Sequence, residues 1–343
     1  MAPRLVWIDY AKGMVIALMV YGHTLNSATS AGLGAPESFR SLSDATFSNA
    51  VPVFFFVSGF FVERGYSKRG VRVFLIERSL RIAYPYFVWS FLQCAAEIVF
   101  SSESHRLVTI DTLLAIPWRP YSVFWFLYTI FWMFPAYALA RQAGRWRHVA
   151  LAALAVLFFV FPVSTNVMAL GPFSRNLLFF AAGVIWSHRF VGPERLPTLP
   201  LWATLPLTSA FLAISLYVFT NVLPPVQLSQ TTYQYHYAGL SVLAGATCVG
   251  WAQFLAGGDR LRFLAVIGRY ALQIYVAHML FVVGFRVLAN RLLGLESPYL
   301  IVGGGIAVGI IGPIVLYRVM GYLGLPNLFE PPLRPSPELS RRA

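Results

Sequence analysis

The chain has 343 residues, 58% of them hydrophobic and 11% charged, with a mean hydropathy of +0.66, whereas a soluble domain carries about 25% charged residues. A water-soluble enzyme is excluded, and because apolar runs recur from end to end, no stretch is left over for a separate soluble catalytic module. The net charge of +13 does not point to nucleic acid as a partner, because the basic residues sit in short breaks between apolar runs, where they set orientation in a lipid bilayer.

Apolar runs near the length that crosses a bilayer predict ten helices, at about 6–28, 46–62, 80–100, 121–140, 148–164, 173–188, 201–223, 237–256, 270–288 and 299–323. The expected fold is an all-α polytopic membrane protein, a bundle of about ten transmembrane helices. With the N-terminus inside, the cytosolic breaks hold Arg64, Lys68, Arg69, Arg72, Arg78 and Arg81, then Arg141, Arg145 and Arg147, then Arg260, Arg262 and Arg269. The outer segments hold only Arg40, Arg106, Arg119, Arg286 and Arg291. That asymmetry predicts both termini in the cytosol. Residues 1–325 read as one membrane domain, and residues 326–343, with five prolines followed by Arg341 and Arg342, as a disordered cytosolic tail. The stretch Leu107 to Trp118 is too short to cross and reads as an interfacial or re-entrant element on the outer side. Cys94 and Cys248 lie in separate apolar runs, which supports neither a disulfide framework nor a CxxC metal or redox site.

A charged side chain in hydrocarbon costs at least about 2.5 kcal/mol on insertion scales, so each one within a span needs a reason. The first span carries Asp9, Lys12 and His23. Asp9 and Lys12, three residues apart on a helix, are within pairing reach. The eleven steps from Lys12 to His23 leave the two side chains roughly 20° apart around the axis and about 16 Å apart along it. One stripe therefore carries a cation near the cytosolic mouth and an imidazole in the outer half. A paired or snorkelling lysine and a hydrogen-bonded interior histidine are the structural alternatives to a functional pair.

In the second span Pro52 precedes Phe54, Phe55, Phe56, Val57, Ser58 and Gly59. The Ser58-Gly59 pair suits close helix approach, and Ser58 is more often a packing residue than a nucleophile. Arg78 and Arg81 share a face at the cytosolic end of the third span, where they form matching forks for phosphate, although much of the cluster around them is an orientation signal. Gln93 and Glu97 make a weaker polar pair in its outer half. Trp125 opens the fourth span, and Gln273, Tyr275 and His278 lie in the ninth.

Together these residues resemble the membrane-bound acyltransferase-3 family, in particular its fucose 4-O-acetylase-like and exopolysaccharide O-acyltransferase branch. The opening motif runs from Trp7-Ile8-Asp9-Tyr10-Ala11-Lys12-Gly13 to Tyr21-Gly22-His23, with Lys12 where the family's Arg-x10-His pattern has arginine. Further agreement comes from Pro52 through Phe60, Arg78-x-x-Arg81-Ile82-x-x-Pro85, Trp125-Phe126-Leu127 and Ile274-Tyr275-x-x-His278. The fused extracytoplasmic hydrolase-like domain of some members is not found in this sequence.

The resemblance implies an O-acyltransferase of the bacterial cytoplasmic (inner) membrane that uses acetyl-CoA or another acyl-CoA and needs no metal. The implied acceptor is a carbohydrate hydroxyl on an exopolysaccharide, lipopolysaccharide or lipid-linked glycan. On this reading His23 is the general base and His278 positions the acceptor or stabilises the oxyanion. Lys12, Arg78 and Arg81 meet the donor phosphates, while Asp9, Ser58, Trp125 and Tyr275 support the site. An acyl-enzyme through Tyr275 or Ser58 is a variant of the same scheme. A multispan transporter of a lipid-linked sugar or small anion, and a membrane scaffold, are the competing readings; the buried charge of the first span is unexplained in the scaffold.

Overall fold

The computed structural model describes residues 5–33, 37–69, 71–100, 108–189, 199–222, 230–325 and 327–332. Arg4, Arg106, Arg195, Arg334, Arg341 and Arg342 lie outside these residues, as do the side chains of Arg64, Lys68, Arg69 and Arg72. The helices are α1 (Val6–Ser30), α2 (Glu37–Arg69), α3 (Val71–Val99), α4 (Ile110–Ala115), α5 (Trp125–Arg141), α6 (Arg147–Val160), α7 (Leu170–Arg189), α8 (Leu201–Tyr217), α9 (Gln230–Gly257), α10 (Arg262–Arg269), α11 (Ala271–Arg291) and α12 (Pro298–Tyr322). Each predicted span overlaps a helix, and no strand occurs among the described residues. Among the described residues, seven helices are long and apolar enough to cross a membrane. The protein is an all-α polytopic membrane protein.

The largest departure from the predicted lengths is in the second span, expected at 46–62 and observed as the 33-residue α2, because helix runs on at both ends through sequence too polar to be read as membrane-embedded. Pro52 and Pro85 sit inside α2 and α3, which membrane helices tolerate because neighbours satisfy the freed backbone groups. The stretch after residue 107 forms α4, six residues long, with Ile110 and Leu114 exposed and the following Ile116 buried.

Helix α1 is the hub and packs against α2, α9, α10, α11 and α12. Two pairs of glycines set its surroundings. A Cβ on Gly13 would lie 2.0 Å from the Leu264 carbonyl oxygen, and one on Gly268 would lie 1.8 Å from that of Asp9, so α1 and α10 cross backbone to backbone. Gly59 and Gly183 do the same for α2 and α7, with a Cβ on either 2.0–2.1 Å from a carbonyl oxygen of the other helix. Without lipid-exclusion energy between helices, such close crossings supply the dispersion contacts that hold a membrane bundle together. The short helix α10 has no counterpart among the predicted spans: eight residues starting and ending in arginine fall below the length a span requires.

At the end of the bundle away from His23, Glu63 of α2 gathers cations. Arg141 of α5 donates to it at 2.8 Å, Arg147 of α6 lies at 3.5 Å, and Tyr137 also donates to it. His148 and His188 stack alongside, with centroids 4.1 Å apart. Arg141 and Arg147, read in sequence as orientation signals, thus also tie α2, α5 and α6 together.

The C-terminal tail departs from expectation in its first residues. Phe329 is fully buried, against Trp89 of α3 and Tyr317 of α12. Trp89 donates to the Leu328 carbonyl at 3.1 Å and Tyr84 to that of Asn327 at 3.1 Å. The proline content of this stretch masked a Leu328-Phe329 anchor, so the packed domain continues past 325; residues 333–343 lie outside the described residues.

Candidate functional site

Asp9 is buried and Lys12 half-buried on the turn of α1 that crosses α10. The helix then runs unbroken to Ser30, so the stripe expected from helical spacing is kept, and Met19, seven residues after Lys12, continues it. Met19 and His23 open onto a cavity of about 560 Å³, within the range that small ligands occupy. Phe54 of α2, Trp125 and Phe126 of α5, Arg175 and Asn176 of α7, Tyr237 of α9 and Tyr275 of α11 complete most of its wall.

His278 stands behind His23, fully buried, with the two ring centroids 5.2 Å apart. Its Nδ1 lies 2.8 Å from the Tyr275 carbonyl oxygen and 3.1 Å from that of Ile274. Carbonyl oxygens only accept, so Nδ1 carries the proton and Nε2 of the neutral ring carries the lone pair. That Nε2 is buried without a hydrogen-bond partner among the described residues. The backbone of α11 has thereby fixed the tautomer of an imidazole packed on His23, leaving a basic nitrogen unspent.

Tyr275 donates its hydroxyl to the Val123 carbonyl and packs on Phe126. Its phenol proton is committed to the backbone, so its geometry is that of a wall residue joining α11 to the turn before α5. That turn is held on several sides. Tyr86 donates to the Ile116 carbonyl at 2.5 Å, Tyr128 to that of Pro117 at 2.7 Å, and the Met168 amide to that of Trp118 at 2.7 Å. Ser122, Met168 and Ala169 have φ of 47°, 53° and 53°, left-handed backbone that costs about 1 kcal/mol or more each for residues with a Cβ. Ser122 and Ala169 both line the cavity, so the strain sits where the two turns shape its rim.

The structure brings His23, His278, Trp125 and Tyr275 together. It places Arg78 and Arg81 elsewhere, on the first turns of α3, with Arg78 over the Phe74 ring at 5.9 Å and Arg81 exposed. Lys12 lies toward the same end of the bundle, since the contacts run from Tyr84 to Asn327, on to Phe329, then to Tyr317 and Tyr270 at the junction of α10 and α11. Ser58 is half-buried next to the Gly59 crossing and is not among the described residues lining the cavity. Gln93 and Glu97 reach the cavity indirectly, Gln93 donating to Glu97 at 3.1 Å and to Ser122 at 3.2 Å.

Sequence reasoning passed over Arg175, Asn176 and Tyr237. Tyr237 donates to Asn176 Oδ1 at 3.1 Å and Asn176 donates to the Pro172 carbonyl at 2.9 Å, which orients the amide. The signal for Arg175 was present, because it lies inside the predicted sixth span and the cost that singled out Lys12 applies to it equally. Arg286, assigned in sequence to an outer segment, is buried within α11.

Comparison with known proteins agrees with this architecture. The family model described as an acyltransferase domain, that of the acyltransferase-3 family, matches residues 5–318. A nodulation protein, NolL of Mesorhizobium japonicum, is 23% identical over 198 residues, a match covering 53% of this chain and 51% of that protein. The chain thus spans about half the length of this curated relative. No solved structure matches. With the family model covering all helices from α1 through most of α12, the chain belongs to the acyltransferase-3 family and is a multi-pass membrane protein.

Proposed function

We propose that the protein transfers an acetyl or related acyl group from acyl-CoA to a hydroxyl of a surface or exported glycan, in the bacterial inner membrane, from a bundle of ten spans with both termini in the cytosol. The observation that carries this reading is the placement of His23: it lines a cavity of small-ligand size, backed by a second imidazole, on the same stripe of α1 as Lys12. The donor phosphates meet Lys12, Arg78 and Arg81 at the cytosolic end. The pantetheine arm then bridges the roughly 16 Å of helix rise between Lys12 and His23.

His23 takes the proton of the acceptor hydroxyl, and the oxygen attacks the thioester carbonyl. Collapse of the tetrahedral intermediate expels the coenzyme A thiolate, which the His23 imidazolium protonates. His278, held by α11, packs its ring against that of His23 and limits its orientation. Trp125 and Phe126 supply flat apolar surface beside polar groups, a combination that suits a sugar face. Direct transfer is favoured over an acyl-enzyme by the commitment of the Tyr275 hydroxyl to Val123 and by the position of Ser58 away from the cavity.

The test is His23→Ala in cells, with membrane abundance confirmed, followed by mass spectrometry of ester groups on surface glycans. Acylation should fall by about 10²- to 10⁴-fold, the usual worth of a general base. Unchanged acylation overturns the role of His23, and lost glycan export with ester content intact favours transport instead.

A further inference from the structure

Resting on that reading, we propose that the acceptor glycan carries a negative charge, a carboxylate or a phosphate, close to the hydroxyl that is acylated, and that Arg175 binds it. Arg175 lies in the second turn of α7, half-buried, and lines the same cavity as His23, Trp125 and Tyr275. Holding a guanidinium inside a bundle is costly, and such arginines are ordinarily paired.

Two other cations on membrane-spanning helices do have partners: Arg141 has Glu63, and Arg318 of α12 donates to the Tyr270 hydroxyl at 3.1 and 3.2 Å. Arg175 has neither a hydrogen bond nor an ion pair among the described residues. Its side chain faces a cavity walled by α1, α2, α5, α7, α9 and α11, where a lipid headgroup anchor would face the membrane surface.

The charge balance of that cavity sets what can enter. No carboxylate lines it among the described residues, and Glu97 is held back behind Gln93 and Ser122. With His23 neutral, the lining carries the single positive charge of Arg175. The N-terminal end of α7, a partial positive charge a turn away, adds to the same sign. Asn176, oriented by Tyr237 and the Pro172 carbonyl, offers an amide beside the guanidinium. A neutral sugar would leave the guanidinium unpaired on closing off water, whereas a carboxylate or phosphate oxygen pair matches its fork. The donor's own phosphates do not fill this place in the scheme, since they bind at the cytosolic end of α1.

The experiment uses the full chain in lipid nanodiscs and equilibrium binding of two pairs of probes, a glucuronic-acid oligosaccharide against its carboxyl-reduced form and polyprenyl-diphosphate glucose against polyprenyl glucoside, with each charged probe also compared between wild type and Arg175→Gln. The wild-type protein should bind one charged probe at least about tenfold more tightly than its neutral partner, the worth of a charge-assisted hydrogen bond. The pair that shows the preference identifies the source as sugar carboxylate or carrier phosphate. Arg175→Gln should erase the preference, and Arg175→Lys should keep part of it.

Equal binding of charged and neutral probes by the wild type overturns the proposal even where the variant does not fold, as does a preference that survives in Arg175→Gln. With acetyl-CoA added, the variant should show a KM for the charged acceptor raised about tenfold and a KM for acetyl-CoA within about twofold of wild type. A loss confined to kcat and equal for neutral and charged acceptors overturns the binding role. Charge-selective, Arg175-dependent binding without any acyl transfer upholds this inference and sinks the acyl-transfer reading on which it was built.

Discussion

His278 shows how much a single hydrogen bond decides. Two carbonyls of its own helix hold the Nδ1 proton, so the ring presents a lone pair at Nε2 in the apolar interior behind His23. An asparagine reproduces the Nδ1 donor and removes the lone pair. His278→Asn is therefore expected to keep the protein folded in detergent while lowering acyl transfer by roughly ten- to a hundredfold, less than the loss in His23→Ala. Equal losses in the two variants, measured as single-turnover transfer from labelled acetyl-CoA, would make His278 a partner in proton transfer instead of a support. Glu63 belongs to the same scale. Its removal in Glu63→Ala strands the half-buried Arg141 and the buried Tyr137 and weakens the hold on the half-buried Arg147. A loss of about 2 kcal/mol is expected from the orphaned charge-assisted bonds, read as an earlier thermal unfolding midpoint in detergent.

Helix crossings control the site at the next scale, because α1 can present Asp9, Lys12 and His23 correctly only while its distance to α10 is fixed. Gly268→Ala puts a methyl group against the Asp9 carbonyl. The backbones must part, and α1 shifts at the end proposed to meet the donor phosphates. The expected outcome is a raised KM for acetyl-CoA together with lower thermal stability, while Gly239→Ala, which meets nothing within 4 Å, should leave both unchanged. Gly59 and Gly183 predict the same for the α2–α7 pair, where the Phe-rich motif and its Ser-Gly end are explained as the face that allows close crossing. The motif was legible in sequence as a membrane helix, but its partner helix was not, since nothing in the spacing of α2 names α7.

For the molecule as a whole, the proposed topology predicts that cysteines introduced at Arg40 and Arg119 react with an impermeant thiol reagent in intact cells, while one at Arg145 reacts only after lysis; labelling of Arg145→Cys from outside would reverse the orientation. The background is low, because Cys94 is buried and Cys248 half-buried. Membrane residence, helical class, near-complete helix order and the Lys12–His23 stripe were fixed by the chain itself, because apolar run length and the helical repeat are local properties that hydrocarbon makes compulsory. What the tertiary structure alone decided was long-range: the docking of Phe329, the capture of arginines by Glu63, and above all the convergence of His23, His278 and Arg175 from three helices. Sequence separation carries no information about which faces meet in a bundle. The meeting is chosen by glycine crossings and by the need to pair or enclose every buried charge.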